Sequence, residues 1–337
     1  MNVKIGINGF GRVGRGVFRA GFDNPDLEFV GINDITSAKM LAYLLKYDSV
    51  HGKFNYDVSY TDNSLIIDEQ EFPISSERDP ANISWNNWST DIVLECTGFF
   101  RTYELASKHL ENDVKRVIIS APDKGKNIPI PTFVCGVNID KYDPELNRII
   151  SNASCTTNCY APVTKILDDA FSVKSGFMTT IHSFTTDQRI LDLPHSDFRR
   201  ARAATQSMIP TSTGAAKAVG KVLPHLEGKL QAISIRVPTP NVSLIDAVYV
   251  LNKEVTKEEV NEKFVVATEE GYTGILATTD EPLVSIDFNG NPHSAIVDLQ
   301  STLCYSNQVK IIAWYDNETG YANRMIDLAL FINSKES

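Results

Sequence analysis

The chain has 337 residues, 42% of them hydrophobic and 22% charged, and a formal net charge of −10. That length suits about two domains with a sizeable core, and the apolar content excludes global disorder. The acidic balance argues against a general nucleic-acid or anionic-membrane binder, since both partners require a basic face.

No basic leader with an apolar core opens the sequence, and no apolar run reaches the roughly 18–20 residues of a membrane span, so a cytoplasmic address is expected. Five cysteines (Cys96, Cys135, Cys155, Cys159 and Cys304) without a secretion signal read as reduced thiols. Cys and His show no zinc-finger spacing, and no metal site is expected.

In chain order, residues 3–7 read as a buried strand, 9–14 as a turn into a helix over 13–20, and 27–32 as a second strand. Residues 58–60 and 65–67 flank Thr61-Asp62-Asn63-Ser64, a hairpin insertion. Strands at 92–96 and 117–120 bracket a helix near 103–110. Strands alternating with helices predict a doubly wound parallel sheet, the α/β class. After about residue 154, the runs 230–237 and 242–250 alternate with period 2, which suits an antiparallel sheet with one covered face. Thr256 and Glu259 form a capping-box signal for a helix to about Thr268. Residues 319–333 are again helical, with Met325, Leu328 and Ile332 on one face.

Gly9-Phe10-Gly11-Arg12-Val13-Gly14 follows the first strand and opens the first helix, and Asp34 stands twenty residues after Gly14. Gly9 permits the tight turn, Gly11 lets backbone approach a pyrophosphate, and Gly14 allows close helix–strand packing. The helix start offers unpaired N–H groups to phosphates. Asp34 would accept ribose hydroxyls and repel a 2′-phosphate, which favours NAD over NADP.

Ser154 can cap the next helix and place Cys155 in its first turn. There the dipole and free N–H groups lower a thiol pKa and can hold an oxyanion. Pro162 lies inside that helix, which is expected to be kinked, short or broken before it. A base for the thiol is offered by His182, at the end of a strand over 177–181. His51, His109, His195, His225 and His293 have no comparable setting and read as structural or surface. Arg199, Arg200 and Arg202 cluster, and Arg236 points away from the row Ile233, Ile235 and Val237.

Asn8 to Arg15, Ser154-Cys155-Thr156-Thr157-Asn158-Cys159, Thr211 to Lys217, Arg236 to Val242 and Trp314 to Tyr321 together resemble the glyceraldehyde-3-phosphate dehydrogenase family, collinearly over essentially the whole chain. The resemblance implies a Rossmann-type NAD-binding domain over 1–154 and 317–337. It also implies an α+β catalytic domain with a mostly antiparallel sheet over 155–316. Cys155 becomes the nucleophile and His182 the general base and later acid. Arg12, Val13, Asp34, Arg78, Ser120 and Asn317 match cofactor-contacting positions, Asn317 at the nicotinamide carboxamide. Thr185 and Arg236 match the substrate C3-phosphate site, and Ser154, Thr156, Thr213 and Gly214 the inorganic phosphate site. Arg200 matches a further anion contact.

The implied reaction oxidises glyceraldehyde 3-phosphate with NAD and phosphate to 1,3-bisphosphoglycerate, within glycolysis and gluconeogenesis. A homotetramer is implied, with residues 183–204 as its contact loop. Three alternatives stand beside this reading. The segment Pro292 to Asp298 has the flavour of the sister erythrose-4-phosphate dehydrogenases, against which Thr185, Thr213 and Gly214 weigh. An NADP-using member is opposed by Asp34 and by Leu193-Pro194. A non-catalytic scaffold of the same fold is opposed by the complete set of reactive residues.

Overall fold

The computed structural model describes residues 2–336. It divides into two compact units. The first holds the chain up to Phe133, Ile139–Ala153 and the residues from Ala322 on; the second holds Val134–Asn138 and Ser154–Tyr321.

The first unit contains, in order, β1 (Val3–Asn8), α1 (Arg12–Gly21), β2 (Leu27–Asn33) and α2 (Ala38–Lys46). A small ladder, β3 (Tyr47–Asp48) with β4 (Gly52–Lys53), and a meander, β5 (Val58–Tyr60), β6 (Ser64–Ile67) and β7 (Gln70–Ser75), follow. Then come β8 (Ile92–Glu95), α3 (Tyr103–Ala106), β9 (Arg116–Ile119) and β10 (Ile149–Ser151). The sheet order is β10-β9-β8-β1-β2-β7-β6-β5. Pairing is parallel from β10 through β7 and antiparallel across the meander. Strands buried on both faces, such as Ile92–Glu95, read as continuous apolar runs because helices cover both sides. The expected helix near 103–110 is only one α-turn, capped by Thr102, followed by a 3-10 stretch at Ser107–Asn112. That tighter winding ends at Asp113 in the left-handed region and leaves His109 fully buried.

The second unit opens with α4 (Cys155–Phe171) and β11 (Val173–Ser183). It continues through β12 (Ile209–Ser212), α5 (Ala215–Val222), β13 (Leu230–Val237), β14 (Ser243–Leu251), α6 (Lys257–Glu269), β15 (Leu276–Thr279), β16 (Ala295–Asp298), β17 (Leu303–Tyr305) and β18 (Gln308–Tyr315). The sheet order is β12-β13-β11-β14-β18-β16-β15, with β17 also on β18. It is mostly antiparallel, but β11 and β13 run parallel, with His182 directly beside Arg236 in the register. Helix α7 (Thr319–Glu336) begins in this unit and continues in the first.

One sequence expectation changes here, and one strand face that the sequence left unassigned is now placed. Helix α4 runs unbroken past Pro162. The proline forfeits one backbone bond, and the burial of Tyr160, Val163, Ile166 and Leu167 around it offsets that loss. The apolar row Ile233, Ile235 and Val237 lies on the uncovered face of the sheet rather than in the core, with Ile233 53% and nearby Phe177 71% exposed. The capping box of α6 forms as read, with Thr256 and Glu259 exchanging side-chain bonds. Helix α7 begins at Thr319, directly after the turn that follows β18. Asp316, just after β18, caps it by accepting the Glu318 and Thr319 N–H groups.

Candidate active site

At the ends of β1 and β2, Gly9 adopts φ +89°, a left-handed conformation that glycine accepts without strain. A Cβ on Gly14 would overlap the Gly9 carbonyl oxygen, whereas one on Gly11 would meet no protein atom and would fill the open cradle instead. Gly11 starts α1 without a side-chain cap, so the positive end of the helix lies at the cradle, where an anion is favoured. Asp34 ties the loop down: its oxygens accept from the Phe10 N–H (2.7 Å) and the Thr36 N–H (2.9 Å). A cavity of 420 Å³ opens here, lined by Gly9, Gly11, Asp34, Arg78, Cys96 and Phe99, among others. These features fit a dinucleotide.

Arg12, Val13, Gly14 and Ser120 are not among the cavity-lining residues. Arg12 pairs with Asp48 at 3.2 Å, and backbone N–H groups with that guanidinium hold the Asp48 carboxyl down at about 2 despite its desolvation. Ser120 bonds the Cys96 thiol, which burial pushes far above its usual range. Beneath the cavity lies a buried network that sequence reading left unremarked. Trp85 Nε1 donates to His109 Nδ1 (3.1 Å), so His109 Nε2 carries the proton towards Glu95 (3.2 Å). Glu95 accepts from Asn8, whose own carbonyl accepts from Asn33. The network fixes the ends of β1, β2 and β8 against one another.

In the second unit, Ser154 (φ −122°, ψ 164°) caps α4, its Oγ accepting the Thr157 N–H at 3.2 Å. Cys155 therefore occupies the first turn. Its Sγ lies 3.5 Å from His182 Nε2. Burial dominates and leaves the Cys155 thiol above its ordinary range, contrary to the lowering expected from a helix start; the Arg236 cation, then the Thr156 hydroxyl and the Thr156 and Cys155 N–H groups, offset only part of that rise. Burial and then Arg236 hold the His182 imidazole down at about 3, so the ring stays neutral and able to accept a proton. His182 Nδ1 sits between the Ser183 carbonyl (2.7 Å) and Arg236 Nη1 (3.0 Å). With its proton on Nδ1, donated to Ser183, the ring turns the Nε2 lone pair towards the thiol.

Arg236 lies against His182 without bonding the protonated Nδ1 and donates to the Ser183 carbonyl (3.1 Å) and to Thr185 Oγ1 (3.5 Å), so Cys155, His182, Thr185 and Arg236 sit together around that carbonyl. Arg236 Nε is buried without a partner. Arg200 is engaged by Asp187, Thr211 Oγ1 (2.9 Å) and the Ser212 carbonyl (3.2 Å), leaving two of its five N–H groups. Arg202 pairs with Asp192. Thr213 and Gly214 lie at the start of α5, where Thr213 Oγ1 accepts the Ala215 N–H; no hydrogen bond joins them to the Cys155 group among the described residues.

Sequence reading missed Tyr315. Its buried hydroxyl bonds Thr156 Oγ1 (2.9 Å) on α4 and Thr180 Oγ1 (2.8 Å) on β11, and its ring meets His182 edge-on at 6.0 Å. One tyrosine thus ties the turn carrying the thiol to the strand carrying the imidazole. Asn317 follows two residues later, its Oδ1 accepting from the hydroxyls of Ser183 and Ser243, each at 2.9 Å. Among the described residues no group of three or more metal-ligating side chains occurs, and no helix is long and apolar enough to cross a membrane.

Comparison with known proteins agrees with this chemistry. The family model for the glyceraldehyde 3-phosphate dehydrogenase NAD binding domain matches residues 3–103, and that for the C-terminal domain matches 154–317. A relative named glyceraldehyde-3-phosphate dehydrogenase from Geobacillus stearothermophilus is 56% identical over 336 residues, covering 99% of each chain. Glyceraldehyde-3-phosphate dehydrogenase 1 of Bacillus subtilis is likewise 56% identical at 99% coverage. A relative of that name from Salmonella typhimurium is 46% identical over 99% of this chain and 100% of its own.

Proposed function

The chain belongs to the glyceraldehyde 3-phosphate dehydrogenase family, and from that membership we propose how its residues divide the work of oxidising glyceraldehyde 3-phosphate with NAD. The observation that carries the assignment is the 3.5 Å approach of Cys155 Sγ to His182 Nε2, with Arg236 against the same imidazole.

Cys155 Sγ adds to the aldehyde carbon as its proton passes to His182 Nε2. The Cys155 and Thr156 N–H groups steady the oxyanion, and His182 returns the proton to it, giving a thiohemiacetal. When bound, the nicotinamide supplies the hydride acceptor. His182 removes the hydroxyl proton as the C–H bond breaks, leaving a thioester on Cys155. Inorganic phosphate attacks that carbonyl, the C–S bond breaks, and His182 reprotonates the sulfur as 1,3-bisphosphoglycerate leaves. Thr185 and Arg236 hold the substrate's C3 phosphate. Ser154, Thr156, Thr213 and Gly214 receive the inorganic phosphate, and the spare N–H groups of Arg200 add to the anion field.

On the cofactor side, the Gly9, Gly11 and Gly14 loop with the first turn of α1 at Arg12 and Val13 takes the pyrophosphate. Asp34 takes the adenosine ribose, Arg78 and Ser120 flank the nucleotide, and Asn317 holds the carboxamide. The working assembly is a homotetramer in the cytoplasm. Self-association, the part of this reading that burial bears on, is supported by the uncovered apolar sheet face around Phe177 and Ile233 and by the exposed Ile190, Leu191, Leu193 and Phe198 in the 183–204 loop.

A dehydrogenase assay crossing glyceraldehyde 3-phosphate and erythrose 4-phosphate with NAD and NADP, with and without phosphate, tests the proposal. Phosphate-dependent turnover of the triose with NAD is expected, with a loss of at least about 1,000-fold in Cys155→Ser. An unaffected rate in Cys155→Ser overturns the mechanism.

A further inference from the structure

Ser183 lies directly after the proposed base, is fully buried, and uses every hydrogen-bonding group it has. Its carbonyl accepts from His182 Nδ1 and Arg236 Nη1. Its N–H donates to Ser243 Oγ (3.1 Å), and its hydroxyl donates to Asn317 Oδ1. Ser243, 1% exposed, accepts that N–H and donates its own proton to the same Asn317 oxygen.

The arrangement dictates which way the Asn317 amide faces. With Oδ1 inward, both hydroxyl protons have an acceptor, and both lone pairs of the amide oxygen are filled. With the amide reversed, two buried hydroxyl protons would have none, a substantial penalty. Nδ2 therefore faces out, and no hydrogen bond within the chain engages it among the described residues. Asn317 is only partly buried, in contrast to the two serines, which leaves the outward group on the accessible side of the cluster.

We infer that Ser183 and Ser243 are positioning residues that lock Asn317 with its amide N–H groups outward, presenting a donor to the carbonyl oxygen of the nicotinamide carboxamide. Through the Ser183 backbone the same residue sets the His182 ring and Arg236. One serine thus keeps proton acceptor, substrate cation and cofactor donor in a common frame. The inference rests on the proposed role of Asn317.

The test is calorimetric titration of the full-length protein with NAD and, separately, with ADP-ribose, which lacks the nicotinamide ring. Variants are Ser183→Ala, Ser243→Ala, Asn317→Ala and the combinations of each serine change with Asn317→Ala. Each serine change is expected to weaken NAD binding about five-fold, the worth of one buried hydroxyl donor, and to leave ADP-ribose within about two-fold. In the Asn317→Ala background the serine changes should have no further effect on NAD, because the hydroxyls act through that amide. If their effects persist in full there, or if ADP-ribose weakens equally, the serines are merely structural and the inference fails. If Asn317→Ala alone leaves the NAD to ADP-ribose affinity ratio unchanged, the role of Asn317 fails first and takes this inference with it.

Discussion

Replacing Tyr315 by phenylalanine isolates the tie between α4 and β11, because the ring is retained and only the hydroxyl is lost. That hydroxyl makes bonds of 2.9 and 2.8 Å to Thr156 and Thr180, and all three residues are buried. At a net value near 1 kcal/mol per bond, with two threonine hydroxyls left to find new partners, the variant should lose about 2 kcal/mol of stability. The functional cost arises separately. Thr156 neighbours Cys155, Thr180 lies two residues before His182, and the phenol ring packs on that imidazole. Loosening this tie by a fraction of an ångström should slow alkylation of Cys155 by iodoacetamide about ten-fold at pH 7.5. Urea unfolding at fixed protein concentration reads the first effect, and the alkylation rate reads the second. A stability change below about 0.5 kcal/mol together with an unchanged alkylation rate would refute the idea that Tyr315 holds the pair in register.

The depressed pKa of His182 makes a pH-dependent prediction. The folded value near 3 lies below the unfolded 6.5, so the unfolded chain binds the extra proton between these values and stability falls as pH drops through that window. Between pH 7.5 and pH 5, wild type should lose about 2 kcal/mol relative to His182→Gln, measured by urea unfolding at both pH values; parallel losses would mean the imidazole is not held neutral by the fold. Gly14→Ala forces a methyl group into the Gly9 carbonyl, and should cost about 1–3 kcal/mol while weakening ADP-ribose binding; unchanged calorimetry and melting would contradict the close packing. Asp34→Ser removes the carboxylate proposed to exclude a 2′-phosphate. The ratio of kcat/KM for NADP to that for NAD should rise at least about ten-fold, and a constant ratio would place the discrimination elsewhere.

Much of the first unit is legible in sequence because its signals are local. A strand, a glycine turn, a helix and an acidic residue follow within 34 positions, and each constrains the next. The Ser154 cap and the Thr256 capping box are equally local and form as read. What stayed hidden depends on partners far apart in the chain. Tyr315 reaches Thr156 across 159 positions, and the Ser183–Ser243–Asn317 cluster joins three segments. Periodicity could not reveal that β11 and β13 run parallel inside a mainly antiparallel sheet, since alternation carries face and not direction. Nor could it tell the core face of β13 from the open one, because Ile233, Ile235 and Val237 are the more apolar row yet lie outside. Pro162 misled for a related reason: tertiary burial overrode a local helix-breaking signal.

The parallel pairing of β11 with β13 separates what must be rigid from what can vary. Because His182 and Arg236 are register partners, their spacing is set by ladder geometry and is indifferent to the length of the excursion between them. A slip of one residue would bring Ile235 or Val237 beside His182 and abolish the pairing, whereas doubling the excursion adds only about 0.6 kcal/mol of closure entropy. That excursion carries Thr185, Arg200, Thr213 and the exposed 183–204 loop. The groups proposed for substrate preference and self-association can therefore be exchanged within one segment, while the pairing of His182 with Arg236 is inherited unchanged from the sheet.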